Sequence, residues 1–235
     1  MIVLGIETST PQTSVAIGTE QEIVGHVALS GPTRRDVVIQ ALDHLVRYTG
    51  VELEAIGGIA VGLGPGLFTG LRVGVVAGKT LAQVLGVPIV GIPSLDALAF
   101  GVRHTSRRIA AVIDARRGEV FYAFYRAVPG GIVREGDYVV APPDHLVADL
   151  DARGGDVLLA GNGAILYRRQ LEEASARLEF ASAAWAHPQA SSLVELAVPR
   201  LQREEHDRLF EVVPLYLRRS DAEIAWDERR RGATA

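Results

Sequence analysis

Residues 57–94, GGIAVGLGPGLFTGLRVGVVAGKTLAQVLGVPIVGIPS, constrain this chain more than any other segment. Residues 58–62 are short, apolar and β-branched, as in a fully buried strand. Gly64-Pro65-Gly66 follows, and Thr69 stands where it can cap a helix over residues 71–85. Gly86 lies just past that helix, at the position of a left-handed cap. Residues 87–92 read as the next buried strand. Strand, glycine loop, helix and strand form a βαβ unit, and such units build parallel sheets.

The helix carries Gly70, Gly74, Gly78, Ala82 and Gly86 at four-residue spacing. Glycine within a helix costs about 1 kcal/mol relative to alanine. A row of small residues on one face therefore implies close approach of another backbone. That backbone belongs either to the protein's own sheet or neighbouring helix, or to another subunit. Gly78-Lys79-Thr80 resembles the end of a phosphate-binding loop. Its glycine spacing is one residue off, however, and it falls mid-helix rather than between strand and helix. Residues 62–67 do not make a dinucleotide fingerprint either, because the last glycine is missing and a proline intrudes.

Two further hairpins frame this unit. Residues 2–7 form an apolar strand ending in Glu7, followed by the polar turn 8–13, a return strand at 14–17 and a third strand at 23–29. Gly31-Pro32 ends the sheet, and Thr33 can cap a helix through Tyr48, with Val37, Ala41, Leu42 and Leu45 on one face. Ser94 can cap a short helix over 95–102. The pattern then returns: a strand over 108–114 ends in Asp114, turns at 115–118 and returns over 119–125, with a third strand over 132–140. Strand, carboxylate, turn, strand, strand thus occurs twice as a topological repeat. In the return strand, Phe121, Tyr122, Phe124 and Tyr125 alternate faces, so one pair is expected in the core and the other over a cleft or partner. The remainder reads as helices over 144–150, 165–174 and 191–204, strands at 156–160 and 178–180, and an extended run at 212–217. A charged tail fills 218–235. Two lobes follow, at 1–105 and 106–217.

Composition narrows the function class. The 235 residues are 48% hydrophobic and 22% charged, which marks a globular chain. A net charge of −4 argues against a surface built for tight nonspecific binding of nucleic acid. Cysteine is absent, excluding disulfides and thiolate chemistry and fitting a reducing compartment. The start of the chain leads straight into a strand, so neither a signal peptide nor a membrane span is expected, and the location is expected to be cytoplasmic.

Four local matches carry a resemblance. They are Gly5-Ile6-Glu7-Thr8-Ser9 with Ser14-Val15-Ala16; residues 64–74, GPGLFTGLRVG; residues 113–121, IDARRGEVF; and Pro214-Leu215-Tyr216-Leu217-Arg218. Together they resemble the TsaB (YeaZ) family over nearly the whole chain, within the actin-like ATPase superfamily. The resemblance implies an α/β, two-lobed actin-like (ASKHA, ribonuclease H-like) fold, with each lobe a mixed sheet flanked by helices. It implies a non-catalytic dimerisation subunit in the synthesis of N6-threonylcarbamoyladenosine at position 37 of tRNAs reading codons that start with A. The partners it implies are a TsaD-like catalytic subunit and a TsaE-like ATPase, with a homodimer when the chain is alone and tRNA met only through the complex. Family dimers pack through the first two helices, here 33–48 and 71–85. That makes Gly70, Arg72, Gly74, Val75, Gly78, Ala82, Val37 and Ala41 the candidate interface. The chain departs from the family at Glu7, Thr33 and Leu67, where many members carry aspartate, histidine and serine.

Chemistry has fewer candidates. TsaD-type relatives bind metal through a His-x-x-x-His pair, and His26, His44, His104, His145, His187 and His206 include no such spacing. Glu7 and Asp114 are carboxylates at strand ends, able either to hold hydrated magnesium beside a phosphate or to tie their own turns. Gly161 and Gly163 sit where an adenosine loop would lie. Arg116 and Arg117 could meet phosphate or solvent. Arg72, in the first turn of its helix, opposes the helix dipole and is expected to find a carboxylate in the protein or on a partner. No cofactor is expected on the isolated chain, with ATP and magnesium reserved for the complex. The alternative reading is a small-molecule kinase or ATPase of the same superfamily, and a glycoprotease-like peptidase is the remotest.

Overall fold

The computed structural model describes residues 1–31, 37–174 and 177–218. Its two sheets repeat one topology. In the first, β1 (Ile2–Glu7), β2 (Gln12–Gly18) and β3 (Ile23–Ser30) form an antiparallel meander, and β4 (Ile56–Gly62) and β5 (Ile89–Ile92) add in parallel on the other side of β1. The strand order is β3-β2-β1-β4-β5. In the second sheet, β6 (Arg108–Arg116), β7 (Glu119–Val128) and β8 (Gly131–Arg134) make the meander, while β10 (Val157–Ala160) and β11 (Leu178–Phe180) add in parallel. The order β11-β10-β6-β7-β8 is the same arrangement. The single third strand expected over 132–140 is instead two short ones, β8 and β9 (Val139–Ala141), each pairing with a different half of β7. Gly136, at φ 101°, lies in the break between them.

The parallel additions need crossover helices. In the first lobe α1 (Val37–Thr49) and α2 (Phe68–Leu85) supply them and cover the same face. The expected cap at Thr33 lies outside the described residues. Thr69 does not cap α2, which already begins at Phe68 with Leu67 at its N-cap. Gly86 does take the left-handed cap, at φ 66°, with its N–H on the Ala82 carbonyl. In the second lobe α4 (Pro143–Arg153) makes the first crossover, and two short helices, α5 (Asn162–Leu166) and α6 (Arg168–Ala174), make the second. Pro143 stands at the first turn of α4, where its missing N–H costs nothing.

Period-2 alternation sends successive residues of β1 to opposite faces. Leu4 and Ile6 join the core beneath α1 and α2, and Val3 joins the core on the other face. That other face is covered by α7 (Ala190–Gln202), a helix from the far end of the chain. Conversely α3 (Ser94–Gly101), which ends the first half of the sequence, packs on the second sheet. α3 and α7 also touch each other, so the two lobes are stitched together by helices exchanged in sequence. The aromatic strand is buried on both sides. Phe121 and Tyr125 face α3, while Tyr122 and Phe124 face α4, so neither pair is left over a cleft. The Tyr125 and Tyr138 hydroxyls both donate to Asp96 on α3, at 2.7 and 2.8 Å.

After α7 the chain runs back as a strap along the first lobe. Asp207 pairs with edge strand β5: its N–H donates to the Ile89 carbonyl and its carboxylate accepts from Gly91 N–H at 2.7 Å. Leu215 N–H then donates to the Leu63 carbonyl, and Arg218 reaches Glu119 in the second hairpin at 2.7 Å.

Candidate functional site

The glycine face of α2 points inward. A Cβ at Gly70 would sit 2.1 Å from the Thr8 carbonyl oxygen, and one at Gly74 2.2 Å from Thr8 Oγ1. Gly78 lies over Val61, and Val75 and Ala82 are buried in the same core. Thr8 Oγ1 donates to the Gly70 carbonyl at 2.7 Å. The bare stripe thus lets α2 press its backbone onto the turn of the first hairpin and onto β4. Gly70, Gly74, Val75, Gly78 and Ala82, together with Ala41 on α1, are therefore packed inside the chain itself. Of the expected interface set, Val37 is half-buried and only Arg72 is exposed.

The two hairpin carboxylates are already engaged. Glu7 is fully buried, and its Oε1 accepts from Ser9 N–H at 2.6 Å. Its Oε2 accepts from the Ser94 hydroxyl at 2.7 Å, and that hydroxyl in turn accepts from Gly64 N–H. Ser94 is thus not a helix cap; it links β1 to the Gly64 turn. Burial holds the Glu7 carboxyl above its ordinary range, against the hydrogen bonds from Ser9, Ser94 and Thr8. Gly62 packs directly on this carboxylate, where a Cβ would fall 2.1 Å from Oε2. Asp114 accepts from Arg116 N–H at 2.8 Å within its own turn, and Arg116 and Arg117 take positive φ angles of 63° and 56° there. The Gly161–Gly163 turn is pressed onto β6: Gly161, at φ 114°, would place a Cβ 2.0 Å from the Val112 carbonyl oxygen. In this arrangement Glu7 ties its own turn to Ser94, Asp114 ties the turn of the second hairpin, and the glycines serve close packing.

The opposite face of α2 is open and mixed, with Val76 and Val84 set among Thr69, Arg72, Thr80 and Gln83. Val76 and Val84 are 62% and 75% exposed. Beside them, α2 and the strap enclose a groove of about 530 Å³, lined by Val76, Thr80, Phe210, Val213 and Tyr216 among others. Phe210 is 88% exposed. Two cations flank this groove on α2. Arg72 donates through Nε to the Tyr216 hydroxyl at 3.2 Å and lies over the Phe68 ring at 3.9 Å. Lys79 Nζ donates to the Val212 carbonyl at 3.1 Å. Among the described residues Arg72 has a tyrosine and a ring where a carboxylate was expected.

The sequence marks 212–217 as extended and Pro214–Arg218 as a family match, but the packing of this strap beside α2 is not legible there, because a short irregular run has no periodicity.

Comparison with known proteins agrees with this geometry. The family model "TsaD: tRNA N6-adenosine threonylcarbamoyltransferase" matches residues 33–226. The tRNA threonylcarbamoyladenosine biosynthesis protein TsaB of Bacillus subtilis is 29% identical, over 98% of this chain and 100% of that protein. The protein of the same name from Escherichia coli is 30% identical, over 69% of this chain and 72% of its own length. The structure of YeaZ from Pseudomonas aeruginosa superposes with a TM-score of 0.79 at 29% identity, over 92% of this chain and 99% of that one. At 12% identity, the activator of 2-hydroxyisocaproyl-CoA dehydratase from Clostridium difficile shares the fold with a TM-score of 0.52. With the doubled sheet topology, the match along 33–226 and these relatives, the chain belongs to the TsaB family of tRNA threonylcarbamoyladenosine biosynthesis proteins.

Proposed function

We propose that this chain is the non-catalytic TsaB subunit of a tRNA threonylcarbamoyladenosine assembly, binding a TsaD-type catalytic subunit through the outer face of α2 and the strap. The observation that carries this reading is the engagement of both hairpin carboxylates within the chain, Glu7 by Ser9 and Ser94 and Asp114 by its own turn, while Val76, Val84 and Phe210 stay exposed elsewhere. A superfamily member that hydrolyses nucleotide needs those carboxylates free toward a metal. Nucleotide and magnesium act in the assembly, together with a TsaE-type ATPase, and not on this chain by itself. Alone, the chain pairs with itself through the same face, and it meets tRNA only through the complex, in the cytoplasm. Among the described residues no helix is long and apolar enough to cross a membrane.

The test is complementation. In a bacterial strain depleted of its own TsaB, expression of this chain with its cognate TsaD and TsaE should restore threonylcarbamoyladenosine, read by nucleoside mass spectrometry. Purified alone, the chain should show no ATP turnover. Steady turnover that disappears in Asp114→Ala would overturn the subunit reading in favour of an enzyme.

A further inference from the structure

Three arginines meet in the second lobe, at the end of β6 away from the Asp114 turn. Arg108 opens β6, and Arg126 lies near the end of β7. Antiparallel pairing sets Ile109 opposite Tyr125, so Arg108 and Arg126 are neighbours across the two strands. Alternation turns both toward the face of Ala110 and Phe124, which α4 covers. There Arg153, in the last turn of α4, lies over the Phe124 ring at 4.3 Å. With Glu135 and Asp156 among others, the three arginines line a cavity of about 340 Å³. Along β6 this cavity is about 20 Å from Asp114.

Charge in the cavity is unbalanced. Like charges opposed across paired strands destabilise them unless an opposite charge lies between. Glu135 supplies one, taking Arg108 Nε at 2.8 Å and Arg126 Nε at 3.4 Å, while its own N–H is anchored on the Phe124 carbonyl. Asp156 turns to Arg107 at 3.4 Å. Arg108 Nη1 donates to the Gly154 carbonyl at 3.0 Å, which fixes its guanidinium beside the end of α4. Arg153 is left over. Asp149, one turn earlier on α4, is engaged by the Tyr122 hydroxyl at 2.7 Å, and the Arg153 guanidinium makes no ion pair or hydrogen bond among the described residues. Stacking on a ring leaves its five N–H donors available. Gly154 and Gly155 leave space beside it, since a Cβ at either would meet nothing within 4 Å.

A phosphate group suits this arrangement, because guanidinium forks bind it bidentately and its oxygens can be shared among several donors. A terminal phosphate carries nearly two charges at neutral pH, and a phosphodiester only one. The cavity has the size for a compact ligand, and the chain's net charge of −4 does not favour a nucleic-acid backbone. We propose that Arg108, Arg126 and Arg153 form a binding site for the terminal phosphate of a small phosphorylated molecule. Arg153 is the fork kept free for it, and Glu135 holds the other two in place. The site lies apart from α2 and the strap and is independent of the partner-subunit reading.

The test is calorimetric titration of the full-length chain with inorganic phosphate in excess chloride, repeated with a single-stranded RNA oligonucleotide. Wild type should bind phosphate saturably. Arg153→Gln and Arg126→Gln should each weaken that binding by about tenfold or more. Arg153→Lys keeps the charge without the fork and should fall between wild type and Arg153→Gln. Arg126 is 66% exposed, so Arg126→Gln should unfold in urea at the wild-type midpoint, which separates lost binding from lost folding. Arg47→Gln on α1 changes net charge equally and should leave phosphate binding unaltered. The proposal is overturned if wild type does not bind phosphate, if both cavity variants bind it as wild type does, or if Arg47→Gln weakens it as much. RNA binding that depends on Arg126 and Arg153, with phosphate ignored, would replace the small molecule by a nucleic-acid backbone.

Discussion

The Ser94 hydroxyl donates to the buried Glu7 carboxylate at 2.7 Å, joining the first residue of α3 to the end of β1 across 87 positions of sequence. Because the same hydroxyl accepts from Gly64 N–H, three segments meet at one oxygen: the first hairpin, the loop before α2 and the helix that leads to the second sheet. The Glu7 carboxylate thus secures the interior. Its burial raises its proton affinity, and this gives a measurable pH dependence.

With a folded-state pKa above the ordinary value of 4.5, Glu7 binds its proton more tightly in the native protein than in the unfolded chain. Its contribution to stability is fully present below 4.5 and declines as pH rises through the raised value. Urea denaturation of wild type and Glu7→Gln across this range should show the difference in stability shifting in favour of the variant as pH increases. A difference independent of pH would mean that Glu7 titrates normally.

Gly74→Ala should destabilise the monomer itself, because the new methyl would strike Thr8 Oγ1. Overpacking of this kind costs typically 1–3 kcal/mol. The midpoint of urea unfolding should fall for Gly74→Ala and Gly70→Ala at protein concentrations where the chain is monomeric. Loss of association with an unchanged monomer midpoint would restore the glycine stripe to a subunit contact.

Gly161→Ala separates packing from ligand binding in the second lobe. The position combines φ 114° with a Cβ that would meet the Val112 carbonyl, so stability should drop by about 1–3 kcal/mol. Titration with ATP and magnesium should be equally silent in wild type and variant. ATP binding to the wild type that vanishes in Gly161→Ala would return this turn to the role of an adenosine loop.

Asp207→Ala should free the strap from β5. It removes acceptors for Gly91 N–H and Arg200 on a half-exposed side chain, a loss of roughly 1–3 kcal/mol. Limited proteolysis should then cut first near Phe210, while the second sheet stays protected. If cleavage begins elsewhere, Asp207 is not what holds the strap.

The first hairpin, the βαβ unit and the second hairpin were legible in the sequence because each rests on local signals: alternation, glycine turns and a helix-length apolar run. The same signals placed Glu7 and Asp114 at strand ends and Gly86 at the end of α2. Apolar content alone could not settle the fate of Phe121, Tyr122, Phe124 and Tyr125. Whether a second face is covered depends on α4, which the strand does not encode.

The sequence by itself determined that α2 has one side stripped of side chains, since i, i+4 spacing on a helix admits no other arrangement. Only the tertiary structure decided what fills that side. The turn of the first hairpin, sixty-two residues earlier at Thr8, closes on Gly70 by a side-chain hydrogen bond. The tertiary structure also decided which residues remain for a partner. Val76 and Val84 stay exposed because α2 can bury only one face on a sheet, and Phe210 and Tyr216 join them because Asp207 and Leu215 fix the strap alongside. Contacts made so far apart in the chain leave no periodicity in its sequence, so the outward surface had to await the fold.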